Sequence, residues 1–128
     1  MLAPGDDDML VAGQTRLMTV QELATAVQYG ARVLVLVADN GMYGTIRMHQ
    51  ERHFPGRVSG TDLHNPDFVT LARSFGCFAE QVDEIEAFEG ALARARESGL
   101  PALLHLPVDP DAITPRQTLT EIREDALR

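Results

Sequence analysis

The residues best placed to do chemistry stand at the end of an apolar run. Val33 to Ala38 reads Val-Leu-Val-Leu-Val-Ala and then stops at Asp39, Asn40 and Gly41. Six apolar residues rich in β-branched types are too few for a membrane span and fit a strand buried on both faces, the kind found in parallel sheets. Ligands of parallel α/β sheets gather at the carboxyl ends of the strands, so a polar cluster there marks the expected site. Asn40 offers an uncharged amide oxygen, Gly41 lets the backbone turn sharply, and the carbonyls that follow can point outward. With Asp39 they make half a shell of hard oxygens suited to Mg²⁺, which takes water and phosphate oxygens as its other partners. An Asp-Asn-Gly turn chosen only for its backbone geometry has the same composition, and spacing alone leaves both readings open.

Other polar residues have plainer explanations. His49 and His53 are four apart on an expected helix, a spacing that could bring two imidazoles to one metal, but no third ligand lies near them in the sequence. His64 falls in a polar loop and reads as exposed. His105, between leucines of a strand, reads as a satisfied residue of the sheet. Glu22 follows Thr19 at the capping-box interval, which explains it without catalysis.

The elements that must carry these residues alternate. Met9 to Ala12 is a short strand candidate, followed by a turn at Gly13 to Arg16. A helix is expected from a Thr19 N-cap to a Gly30 C-cap, with Val20, Leu23, Ala24 and Val27 on one face. It delivers the chain to the strand Val33 to Ala38. Thr45 to Phe54 can form a short helix, broken by Pro55 and Gly56, and the loop Pro55 to Pro66 is a surface excursion, a candidate lid that could order on a ligand. A third helix is expected with Asn65 as N-cap, Pro66 at its first position and Gly76 at its end. Then come a strand Cys77 to Val82, an amphipathic helix from Asp83 to Gly99 with acidic residues early and basic residues late, and a strand Pro101 to Val108. A proline-containing tail ends in a short helix. No internal repeat is visible. The alternation is that of an α/β fold with a parallel sheet and right-handed crossovers.

Bulk properties narrow the function classes. The 128 residues suffice for one domain with a modest core. With 45% hydrophobic and 23% charged residues the composition is that of a soluble globular protein. A formal net charge of -8 repels phosphate backbones and anionic lipid surfaces, so neither nucleic acid nor a membrane is expected as a partner. The one cysteine, Cys77, sits in an apolar context and has no internal partner, which points to a reducing, cytoplasmic setting. The start of the chain lacks a basic region followed by an apolar run, so export is not expected.

The segments Glu22 to Gly30, Val33 to Phe68 and Asp109 to Arg116, with the Asn-Gly-Met-Tyr-Gly-Thr-Ile-Arg core at Asn40 to Arg47, resemble the C-terminal cofactor-binding domain of acetolactate synthase-like thiamine-diphosphate enzymes. The likeness runs from about Met9 to the end. It implies a three-layer α/β/α, Rossmann-like domain with a mostly parallel sheet, incomplete on its N-terminal side. Residues 9–128 would form this single partial domain after an acidic segment, 1–8. In that family Mg²⁺ is held by an Asp in a Gly-Asp-Gly turn, by the second Asn of an Asn-Asn pair and by a backbone carbonyl two residues later. The matching metal residues here are Asn40 and Met42, and Asp39 stands for the first Asn. Gly13, Gln14, Gly41, Tyr43, Gly44 and Ile46 match positions that contact thiamine pyrophosphate (TPP).

The chain departs from the pattern upstream. Gly13, Gln14 and Thr15 stand where Gly-Asp-Gly is expected, so the metal carboxylate is replaced by an amide. Asp6, Asp7 and Asp8 do not match the family interval to Asn40 and read as a solvated acidic terminus, an unusual metal contact being the other reading. The resemblance therefore implies TPP and Mg²⁺ as cofactors, held weakly. Arg47 stands where related pyruvate-type decarboxylases carry a Glu, which suggests a carboligating branch. The Glu that activates the cofactor in the family comes from a separate N-terminal domain, usually on a neighbouring subunit. The expectation is thus a truncated or degenerate module of a 2-oxo acid decarboxylase or carboligase, inactive alone. It would work as a homo-oligomer or with a partner chain that supplies the missing domains. The alternative is a non-catalytic α/β protein-interaction module that kept the fold and lost the cofactor.

Overall fold

The computed structural model describes residues 8–12 and 19–128. Gly13, Gln14, Thr15 and Asp6 to Asp7 lie outside the described residues. The elements run β1 (Asp8–Ala12), α1 (Glu22–Gln28), β2 (Val33–Asp39), α2 (Gly44–His53), α3 (Phe68–Ser74), β3 (Phe78–Gln81), α4 (Phe88–Glu97), β4 (Ala102–Pro107) and α5 (Leu119–Ala126), with a 3-10 turn at Ile85–Ala87 leading into α4. No helix among the described residues is long and apolar enough to cross a membrane.

The chain packs into two compact units. One holds Pro66–Pro107 with the described residues up to Ala38, and the other Asp39–Asn65 with Val108–Arg128. The first is the sheet. Its strand order is β1-β2-β4-β3, with β1 parallel to β2 and β3 parallel to β4. Successive side chains of a strand point to opposite faces, and the core divides accordingly. Val37 and Leu103 face one side with Leu23 of α1 and Phe68 and Ala72 of α3. Leu34, Leu36, Ala102 and Leu104 face the other with Ala91 and Ala95 of α4. Helices therefore cover both faces of the sheet, which is the α/β/α layering expected, and β2 is buried because it is a central strand flanked by β1 and β4.

The helix starts differ from expectation. Thr19 does not cap α1: Gln21 occupies the cap position with no side-chain bond. The first amides are already satisfied by the backbone, Leu23 donating to the Val20 carbonyl and Ala24 to that of Gln21, both at 3.0 Å. A side-chain cap has nothing left to do. Helix α3 is capped by Asp67, whose carboxylate accepts from the Thr70 amide at 2.9 Å, rather than by Asn65. The expected helix Asp83 to Gly99 is shorter, because its start tightens into the 3-10 turn.

The second unit pairs α2 with α5. Helix α5 carries a full capping box: the Glu121 amide donates to the Thr118 hydroxyl while the Thr118 amide donates to the Glu121 carboxylate. Asp111 adds a second acceptor, taking the amide and hydroxyl of Thr120 at 2.9 Å each. Three of the amides that a helix start leaves unpaired are thereby accounted for with Leu119, which donates to the Asp111 carbonyl.

Candidate functional site

At the end of β2 the three polar residues have separate tasks. The Asp39 carboxylate accepts from the Gly41 amide at 2.8 Å and from the Asn65 side-chain amide at 2.7 Å. The Asn40 side-chain oxygen accepts from the Met42 amide at 3.2 Å. Two overlapping Asx turns result, with Gly41 between them in the left-handed backbone at φ +67°. The tip therefore satisfies the turn reading in full.

The next residues form a single antiparallel bridge, Met42 opposite Asp62. The Tyr43 amide donates to the Thr61 carbonyl and the Leu63 amide to the Gly41 carbonyl, both at 2.8 Å. This is the non-hydrogen-bonded type of pair, in which the central residues aim their own amide and carbonyl away from the partner segment. The Met42 carbonyl thus points away from Thr61 to Leu63.

Helix α2 starts directly after this bridge. Tyr43 occupies its cap position without a side-chain bond. The positive dipole end there has no acid in its own first turn. Tyr43 and Ile46 flank the start and are half exposed, at 46% and 54%. Gly44 is a contact position: a Cβ would lie 2.7 Å from Ile113 and 2.8 Å from the Asn40 amide nitrogen. Gly44→Ala is expected to displace the ends of the Ile113 and Asn40 side chains at a cost of about 1 kcal/mol. Urea titration and the Asn40 side-chain amide resonances read this out; unmoved resonances at wild-type stability would contradict it.

Behind the tip lies a polar cluster built on Glu51, which is fully buried. Arg123 of α5 grips it with two bonds, Nε to Oε2 at 2.9 Å and Nη2 to Oε1 at 2.6 Å. The Gly56 amide donates to Oε2 at 2.8 Å, and Arg47 reaches Oε1 through Nε at 3.4 Å. Arg47 also donates from Nη1 to the Thr61 hydroxyl at 3.1 Å and to Asp62 at 3.2 Å. The Arg123 bonds, opposing the desolvation of a buried carboxylate, lower the Glu51 pKa to about 2. Arg47, read from sequence as a branch marker, is here a strut. The loop Pro55 to Pro66 is tethered as well: Gln50 exchanges bonds with Ser59 at 2.7 and 3.3 Å, beside the anchors at Gly56, Thr61 and Asn65.

The remaining candidates keep their plain readings. The rings of His49 and His53 stack 6.3 Å apart, and both residues are exposed. Among the described residues no group of three or more His, Cys, Asp or Glu side chains could hold a metal ion. His64 is exposed. His105 packs edge-on against Phe68 at 5.1 Å and meets Gln81 through Nδ1 at 3.2 Å. Cys77 is buried, and burial pushes its thiol pKa up, away from reactivity. The residues missed in sequence are Glu51, Thr61 and Arg123. Only the four-residue interval between Arg47 and Glu51 gave a signal for them.

Comparison with known proteins follows the same residues. The family model of the thiamine pyrophosphate enzyme, C-terminal TPP binding domain, matches residues 8–106. The acetolactate synthase large subunit of Parasynechococcus marenigrum is 35% identical over 108 residues, which cover 82% of this chain and 18% of that protein. The acetolactate synthase isozyme 2 large subunit of Escherichia coli is 33% identical over 108 residues, 83% of this chain and 20% of that one. A 3D-(3,5/4)-trihydroxycyclohexane-1,2-dione hydrolase of Bacillus licheniformis is 30% identical over 111 residues, 82% of this chain and 17% of its own length. The chain thus spans between 17% and 20% of the length of these relatives. The crystal structure of benzoylformate decarboxylase from Polynucleobacter necessarius shares the fold, with a TM-score of 0.75 at 22% identity over 85% of this chain and 20% of that one. Since the family match runs from β1 into β4 and takes in the whole strand tip, this chain belongs to the C-terminal TPP-binding domain family of thiamine pyrophosphate enzymes.

Proposed function

We propose that the tip of β2 and the start of α2 hold the diphosphate end of TPP through Mg²⁺. The observation that carries the reading is the pairing of two neutral hard oxygens, the Asn40 side chain and the outward Met42 carbonyl, with a helix start that has neither a side-chain cap nor an acid. This donor set fits Mg²⁺ as part of an octahedral shell whose negative charge comes from phosphate oxygens. Gly41 and Gly44 keep the backbone close, the amides after Tyr43 face the anion, and the half-exposed Tyr43 and Ile46 offer apolar contact. By the resemblance Gly13 and Gln14 belong to the same set of cofactor positions, Gln14 with an amide oxygen in place of the family's carboxylate. When bound, TPP supplies the electron sink for decarboxylating a 2-oxo acid or joining the product to an acceptor, while protein supplies position and electrostatics.

Turnover draws on residues beyond these 128, because the relatives are about five times longer and the activating Glu of the resemblance lies in another domain. Those residues would come from a further segment or chain carrying the family's other domains, self-association of this chain is the other assembly proposed, and the cytoplasm is the setting consistent with a free thiol. Calorimetric titration with TPP and Mg²⁺ is the test. Binding is expected to be weaker than low-micromolar and to tighten at least about tenfold in Gln14→Asp. Low-micromolar binding by the native chain would show that Gln14 is no handicap. No heat from either protein would favour the second reading, a non-catalytic interaction module, for which the Gln14-Thr15 replacement is the specific observation.

A further inference from the structure

Residues 107–128 lie beyond the family match, yet Arg123 of α5 bonds the buried Glu51 at 2.6 Å. We propose that α5 positions the strand-tip loop through a relay of side chains: Arg123 holds Glu51, and this leaves Arg47 free to hold Thr61 and Asp62 against Gly41 to Tyr43.

The argument is one of competition for a shared cation. Glu51 is 0% exposed, so its carboxylate must be matched by donors inside the protein. Arg123 provides two of them in the fork geometry that guanidinium and carboxylate share. Arg47 touches the same Oε1 only at 3.4 Å, and its Nη1 is directed to Thr61 and Asp62. With Arg123 removed, the nearest cation left to the buried charge is Arg47, four residues away on the same helix. Turning toward Glu51 takes its guanidinium from Thr61 and Asp62. The segment Thr61 to Leu63 then keeps only its two backbone bonds to Gly41 and Tyr43, the residues that bracket the Met42 carbonyl. Arg123 is itself placed by the doubly capped start of α5, where Thr118 and Asp111 take up the helix amides. Arg123, Glu51 and Arg47 are thus positioning residues. The relevance of the relay to cofactor loading rests on the proposed Mg²⁺ and TPP site, whereas the relay itself does not.

Hydrogen exchange on the full chain separates the two. In Arg123→Met, protection of the Tyr43 and Leu63 amides is expected to fall at least about tenfold. The Val82 and Phe78 amides, bonded within the sheet at 2.8 and 2.9 Å, should keep their protection. Arg123→Lys, which keeps the charge without the fork, should recover part of the loss. Unchanged protection at Tyr43 and Leu63, or an equal loss at Val82 and Phe78, would overturn the relay. Should Arg123→Met fail to fold, Arg47→Met decides: it leaves the Arg123 pair intact and must loosen the same two amides. Titration of the folded variants with Mg²⁺ and TPP then reads the positioning role, a tenfold weakening supporting it and an unchanged affinity with a loosened loop refuting it. If the native chain binds no TPP, the function proposed above fails, and the exchange result alone still decides the relay.

Discussion

Glu51→Ala is expected to lower stability by about 3–5 kcal/mol, the cost of breaking a buried charge pair from one side. Alanine would leave the Arg123 fork, the Gly56 amide and one edge of Arg47 without the carboxylate they bond. Such a loss is a large part of the 5–15 kcal/mol that holds an ordinary domain together. Urea denaturation followed by circular dichroism measures it, and a loss below about 1 kcal/mol would mean that water enters and repairs the site. The same residue sets an acid limb. The Glu51 pKa is lowered from 4.5 to about 2, chiefly by the Arg123 hydrogen bonds. A carboxylate depressed in the folded state contributes its stability above the unfolded pKa, and that contribution is lost as pH falls through the folded one. The stability curve should therefore decline between about pH 4.5 and pH 2, by an order of about 3 kcal/mol from this group. Glu51→Gln should lack that component, and equal slopes for the two proteins over this window would contradict the assignment.

Leu104→Ala is the corresponding experiment in the sheet, with an expected loss of about 2–5 kcal/mol. Leu104 is 0% exposed on the inner strand β4 and packs with Leu34, Leu36, Ala91 and Ala95. Two of these neighbours are alanines on α4, whose side chains have no length with which to reach into a vacated volume. The cavity should persist, so the upper part of the range is expected. A fall in the urea midpoint at constant slope would record it. A cost of about 1 kcal/mol or less would show α4 closing onto the sheet.

What was legible in the sequence was what depends on neighbours along the chain. The apolar run before Asp39 specified a buried strand, and Gly30 and Gly76 marked helix ends, where both take positive φ. Helix starts were less legible because several nearby residues offered the same chemistry. Asn65 and Asp67 are both good caps, and what decided between them was Asp39, which claims the Asn65 amide from 26 residues away. The loop Pro55 to Pro66 looked like a free excursion by composition, but its anchors Gln50, Glu51 and Arg47 lie on the preceding helix. Least visible was the bond of Glu51 to Arg123, 72 residues apart. No periodicity or motif encodes such a pair. At the site itself, the polar tip of β2 was legible as a turn and as half of a metal shell, since both uses draw on the same oxygens.

The buried Glu51 also has a consequence for temperature. The unit of Asp39–Asn65 and Val108–Arg128 buries Glu51 and Thr61 beside only Leu119 and Ile122. Among the described residues the sheet unit buries Leu, Val, Phe, Cys, Ala and Pro side chains. Apolar burial weakens on cooling, whereas the Glu51 contacts weaken on protonation. Cold should therefore loosen the sheet first and acid the α2 and α5 pair first, so each half of the chain has its own mode of failure.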